Sequence, residues 1–145
     1  MDSDDEGERP LLEHVLLPVA NEDDALQTAR ALEPYAPDHV TATHVVEKGE
    51  GVPDKTPVEQ SEEIAAESYE AVRTVFPDAE THTVYRRDVV EGIFEAAEAV
   101  DASAVAFQSR GGNRLVQFLS GDRTLQMVTE ADRPVIALPR ETEGT

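Results

Sequence analysis

The sequence predicts a three-layer α/β/α domain, doubly wound, with a five-stranded parallel sheet between two layers of helices. Three observations support this. Five short apolar runs are spread along the chain, helical periodicity fills the gaps between them, and 145 residues suffice for one core of this kind. Strands that alternate with helices are joined by right-handed crossovers, which leave the strands parallel.

The first run, His14 to Val19, is nearly continuously apolar, as expected of a strand buried on both faces. A helix is predicted over Glu22 to Tyr35, with Ala25, Ala29 and Leu32 on one face. Asn21 is its candidate N-cap, first-turn acids suit its dipole, and Pro37 stops it. In the second run, Val40 to Val46, Val and Ala alternate with Thr and His, which predicts a less buried strand. The second helix covers Pro57 to Phe76, with Ala65, Tyr69, Val72 and Phe76 in one stripe and Pro57 in the first turn. Thr81 to Tyr85 is the third strand. The third helix covers Val89 to Val100, with Val89, Ile93, Ala97 and Val100 on one face and Asp88 as N-cap. Ala104 to Phe107 is the fourth strand. A fourth helix over Asp122 to Ala131 turns Thr124, Met127, Val128 and Ala131 inward, and the last strand, Pro134 to Leu138, is again nearly all apolar. The domain spans residues 13–140. Residues 1–12 form an acidic disordered tail and 141–145 a second tail. The opening residues lack the apolar stretch of a secretory signal.

Asp plus Glu number 31 against 12 for Lys plus Arg, a formal charge of −19. A field of this sign repels nucleic acid and anionic lipid heads. Self-repulsion also works against folding at low salt, whereas 1 M salt cuts the Debye length to about 3 Å. Ten of the twelve basic residues are Arg and only two, Lys48 and Lys55, are Lys. This is a halophile-type composition, and it fits a cytoplasmic protein. No apolar run approaches the roughly 18 residues of a membrane span. The chain has no cysteine, which excludes disulfides, thiolate catalysis and Cys-ligated metals.

The informative stretch begins at the end of the fourth strand. Gln108-Ser109-Arg110-Gly111-Gly112-Asn113-Arg114 leads through Leu115 to Ser120 into Gly121-Asp122-Arg123-Thr124. Gly111 and Gly112 permit positive φ and close approach to main-chain N–H groups. Gly121 stands where a helix begins, and the free N–H groups and dipole there favour an anion. The stretch reads as a phosphate-binding loop or as a glycine-punctuated loop without a ligand. In a doubly wound sheet ligands sit at the carboxyl ends of the strands, which is where this loop leaves.

These residues resemble the universal stress protein family, in which a strand is followed by Gly-x-x-Gly, nine residues, then Gly and Ser or Thr. Gly111 and Gly121 have that separation. Ala131 to Pro139 is similar to the family's closing strand, Asp88 to Ile93 and Asp101 to Val105 to its third helix and fourth strand. His14 to Val19 and Thr43 to Val46 resemble its first two strands. The resemblance covers Glu13 to Pro139. It implies a flavodoxin-like sheet of order 3-2-1-4-5, a homodimer through the last strand, and a stress-response or regulatory role with ATP as ligand. The implied contacts are Pro18, Val19, Ala20, Val45, Gln108, Ser109, Gly111, Gly121, Asp122, Arg123 and Thr124.

Four positions depart from the family pattern. Gln108 replaces the first glycine, Asp122 the Ser or Thr, Ala20 the acidic residue after the first strand, and Arg87 the glycine before the third helix. A carboxylate at Asp122 near phosphate costs on the order of 1–4 kcal/mol. Arg110, Arg114 and Arg123 offset that repulsion, Asp122 can hold a Mg²⁺ that bridges to phosphate, and Thr124 can donate a hydroxyl. Two alternatives stand beside the ATP-binding regulator. One is a ligand-free dimerisation module, for example the partner of a membrane transporter. The other is a slow nucleotide hydrolase, for which no activating base is identifiable. No catalytic residue is therefore assigned. The chain has no P-loop, and Phe107 stands where a nucleophile elbow needs glycine. His14, His39, His44 and His82 have no ligand-like spacing and read as structural. Tyr69 and Phe76 read as core, and Glu62-Glu63 as solvated helix surface.

Overall fold

The computed structural model describes residues 9–47, 58–108 and 121–139. The middle strand β1 (His14–Pro18) carries Val15, Leu16 and Leu17 with no exposure at all. Successive side chains on a strand point to opposite faces. Val15 and Leu17 therefore enter one apolar cluster and Leu16 the other. The cluster of Val15 and Leu17 is completed by Ala25, Ala29 and Leu32 of α1 (Glu22–Leu32) and by Val72 of α2 (Val58–Val75). The cluster of Leu16 is completed by Val89, Val90, Ile93 and Ala97 of α3 (Val89–Ala99) and by Met127 of α4 (Gly121–Thr129). Two helices on each face are what right-handed crossovers produce when the winding reverses at β1.

Around β1 lie β2 (His39–Glu47), β3 (Glu80–Arg86), β4 (Ala104–Gln108) and β5 (Val135–Leu138). All pairings are parallel and the order is β3-β2-β1-β4-β5. The flavodoxin-like order implied by the resemblance is the one found. Both sequence-assigned N-caps are in place. Asn21 accepts the Asp24 N–H at 2.8 Å, and Asp88 accepts those of Val90 and Glu91.

Several local expectations need correction. The first helix stops at Leu32 and tightens into a 3₁₀ turn, Glu33–Tyr35, before Pro37 is reached. Pro34 is the cause, because it lacks an N–H and its ring clashes with the preceding turn. β2 is more buried than its Thr and His content predicts. Thr41 and Thr43 are buried because their hydroxyls have partners, His14 Nε2 at 2.7 Å and the His82 carbonyl at 2.7 Å. β5 is less buried than expected, with Ala137 exposed, because it is an edge strand. In α4 Met127 is fully buried, but Val128 is 58% exposed rather than inward. One residue is about 100° of helix rotation, enough to carry Val128 off the core face. Residues 9–12, assigned to the disordered tail, are fixed to the domain. Arg9 donates to the Asp101 carbonyl at 3.0 Å, the Leu12 carbonyl accepts Asp38 N–H at 2.9 Å, and the Leu12 side chain packs on the core.

Candidate functional site

β1 stops pairing at Pro18, opposite Thr43, whereas β2 runs on to Glu47 along β3. α1, which follows β1, packs on one face of the sheet, and α4, which follows β4 in the chain, packs on the other. In doubly wound sheets the carboxyl rim at such a reversal is where a ligand crevice forms, and here it falls between the ends of β1, β2 and β4. α4 starts at this same rim, because a helix that joins two parallel strands must run back against them.

The last backbone bond of β1 to β2 is Val19 N–H to the Thr43 carbonyl, 2.9 Å. The N–H and C=O of one residue in a strand point to the same side and alternate along it. The main-chain groups of Val45, two residues beyond Thr43, thus face the same way, past the end of β1 and into the crevice. The Val45 side chain lies elsewhere, 6% exposed in the cluster beneath α3. It touches α3 where Gly92 has no Cβ: one built there would stand 2.9 Å from Val45 Cγ1.

Pro18 and Val19 are buried and Ala20 is half-buried beside this opening. Gln108 closes the β4 side and is 5% exposed. Its side chain, which replaces the family glycine, donates from Nε2 to the Pro139 carbonyl at 3.1 Å. The amide thus ties the end of β4 to the end of β5. Gly121, Asp122, Arg123 and Thr124 form the first turn of α4 at the same rim. Ser109 and Gly111 lie outside the described residues. Of the implied contacts, Pro18, Val19, Ala20, Val45 and Gln108 lie at or near the carboxyl ends of β1, β2 and β4. Among the described residues no three His, Asp or Glu side chains gather as metal ligands, and no helix is long and apolar enough to cross a membrane.

One residue of the rim was missed by sequence reasoning. His44 donates from Nδ1 to the Val19 carbonyl at 3.0 Å. Its only sequence signal is its place immediately before Val45 near the end of an apolar strand. Burial holds the His44 pKa below the ordinary 6.5, partly opposed by this bond, and burial and then His39 hold His14 below it too. Both rings stay neutral in the fold while the unfolded chain takes up protons. Stability is therefore full above pH 6.5 and falls as pH drops from there towards the lowered folded values. In concentrated KCl the urea midpoint is expected to decrease between about pH 7.5 and about pH 5.5. A midpoint independent of pH across that window would contradict the assigned shifts.

A five-stranded parallel sheet whose winding reverses at its middle strand, with two helices on each face, defines a flavodoxin-like α/β domain. The profile of the universal stress protein family matches residues 12–139, and the chain belongs to that family. Solved structures agree on the fold. The universal stress protein from Archaeoglobus fulgidus superposes with a TM-score of 0.67 at 20% identity, over 86% of this chain and 96% of that one. A structure of the universal stress protein from that organism in complex with dAMP gives 0.64 at 20% identity, over 86% and 95%. A universal stress protein in complex with cAMP gives 0.61 at 15% identity, over 87% and 95%. No curated protein matches the sequence.

Proposed function

We propose that this chain is a cytoplasmic stress-response or regulatory protein that binds an adenine nucleotide at the carboxyl rim and acts without catalysing a reaction. The observation that carries the reading is the outward main-chain edge of Val45 beside the end of β1. An adjacent N–H and C=O suit the edge of a planar base, which offers an acceptor and a donor of its own. Pro18, Val19 and Ala20 flank it. In this reading Gly111, the N-terminus of α4 at Gly121, Arg123 and Thr124 take the phosphates, Ser109 and Gln108 line the way, and Asp122 holds Mg²⁺ when ATP is bound. The dAMP and cAMP carried by the two related structures support a nucleotide as the ligand class.

A second reading, assembly through β5, rests on separate observations. β5 is an edge strand, and Leu125 and Val128 of α4 are 63% and 58% exposed. Both features suit a second copy paired along β5, with or without a nucleotide and with or without a transporter or signalling partner. Sedimentation reports that state directly: a dimer supports it and a monomer removes it.

Binding to the native state alone raises stability by about 2.7 kcal/mol at a hundredfold excess over Kd. Millimolar AMP or Mg-ATP is therefore expected to raise Tm by several degrees in about 2 M KCl, where surface repulsion is screened. A flat response to both nucleotides would contradict nucleotide binding and leave the ligand-free module.

A further inference from the structure

We infer that His44 is a positioning residue of the nucleotide site, acting through the peptide unit between Val19 and Ala20; this rests on the nucleotide reading above. The two polar groups of that unit are held from opposite edges. Its C=O accepts His44 Nδ1–H at 3.0 Å, and its N–H donates to Asp24 Oδ2 at 2.9 Å. Asp24 is itself fixed, because its N–H is the one that Asn21 caps at 2.8 Å. A peptide plane bonded at both edges cannot rotate about its flanking Cα atoms without breaking one bond or the other.

The need for this arrangement follows from the topology. Val19 N–H makes the last backbone bond of β1 to β2, so the next carbonyl lies just where the strands part. A buried carbonyl there requires a donor, and the imidazole on the neighbouring strand supplies it. The clamped plane forms one wall of the crevice and the Val45 main chain the other. His44 precedes Val45 directly, so a single residue registers both walls. Only its Nδ1–H can donate to a carbonyl, which fixes the neutral tautomer as Nδ1–H.

Three measurements test this. Side-chain ¹⁵N NMR of the wild type is expected to place the His44 proton on Nδ1, and an Nε2–H tautomer would overturn the assignment without any variant. His44→Phe keeps a ring but has no donor, and it is expected to weaken AMP binding about fivefold to tenfold, the worth of one hydrogen bond. His44→Asn, whose amide nitrogen can stand close to the Nδ1 position, is expected to recover most of that loss. Rescue by the smaller residue separates positioning from packing, because a packing role would make Asn the worse variant. Wild-type affinity in His44→Phe would overturn the inference and leave the nucleotide reading intact. Should the wild type bind no AMP, the nucleotide reading falls, and amide exchange at Ala20 then decides the clamp. Faster exchange in His44→Phe with an unchanged Tm supports it, and unchanged exchange overturns it.

Discussion

Phe107→Ala is expected to destabilise the protein by about 3–5 kcal/mol, the usual cost of removing a fully buried aromatic side chain. Phe107 is 1% exposed and belongs to the cluster between the sheet and the α3–α4 layer, with Ile93 and Met127 among its members. β4 is flanked by β1 and β5, so its backbone is held on both sides and the site cannot collapse easily. Domains of this size have only about 5–15 kcal/mol of total stability, so the variant is expected to sit near the threshold of folding. Urea denaturation in concentrated KCl measures the loss. Phe94, which only packs against the edge of the same cluster, is the internal control and should cost clearly less. A loss below about 1 kcal/mol at Phe107 would mean that the ring does not occupy the core as described.

Gly92→Val has the second large effect. A Cβ at Gly92 would meet Val45 Cγ1 at 2.9 Å and Cγ2 at 3.0 Å. Val45 cannot swing aside cheaply, because a β-branched side chain has few χ1 choices and this one is 6% exposed. Either α3 lifts from the sheet or β2 shifts. Overpacking of this kind costs about 1–3 kcal/mol, and the gain in helix propensity from Gly to Val is only a few tenths. Gly92→Ala is the milder change, since about 1 kcal/mol of propensity offsets part of its clash. Removing the obstacle should restore stability. Val45→Ala in the Gly92→Val background is expected to cost less than the sum of the single changes, with a coupling of about 0.5–3 kcal/mol. Additive effects would show that the two residues do not touch. The pair also bears on binding, because a shift of β2 moves the main-chain edge of Val45. Affinity for AMP should fall in Gly92→Val and recover in the double variant.

Much of this fold is legible in the sequence because its signals are local. The unbroken apolar run at Val15 to Leu17 marks a central strand, and Asn21 and Asp88 mark helix starts through bonds to residues two or three places on. The stripe Ala25, Ala29, Leu32 identifies the core face of α1 without reference to anything distant. What escaped depends on which strand lies beside which. Thr41 and Thr43 look half-exposed until His14 and the backbone of His82 are placed next to them. β5 looks as central as β1 until the order makes it an edge. Val128 reads as inward on a regular apolar spacing, and only the seating of α4 on Met127 shows otherwise.

The site divides in the same way. Pro18, Val19, Ala20, Val45 and Gln108 could be nominated from the resemblance, and they do converge at one rim. Their roles there differ from residue type alone. Val45 offers main chain and buries its side chain under Gly92, while Gln108 spends its amide on Pro139. His44 could not be chosen from four scattered histidines, because its meaning comes from a carbonyl 25 positions away that loses its ladder where two strands part. The glycine pair Gly111 and Gly121 carried the resemblance, and the first of the two falls outside the described residues.

The claim on which the rest depends is that nucleotide enters the opening between the ends of β1, β2 and β4. Backbone ¹⁵N NMR of the wild type titrated with AMP in concentrated KCl tests it residue by residue. Saturable shifts largest at Val19, Ala20, Val45 and Gln108 are expected. Shifts confined to the opposite rim, around His14 and Ser103, or none at saturating AMP, would contradict it.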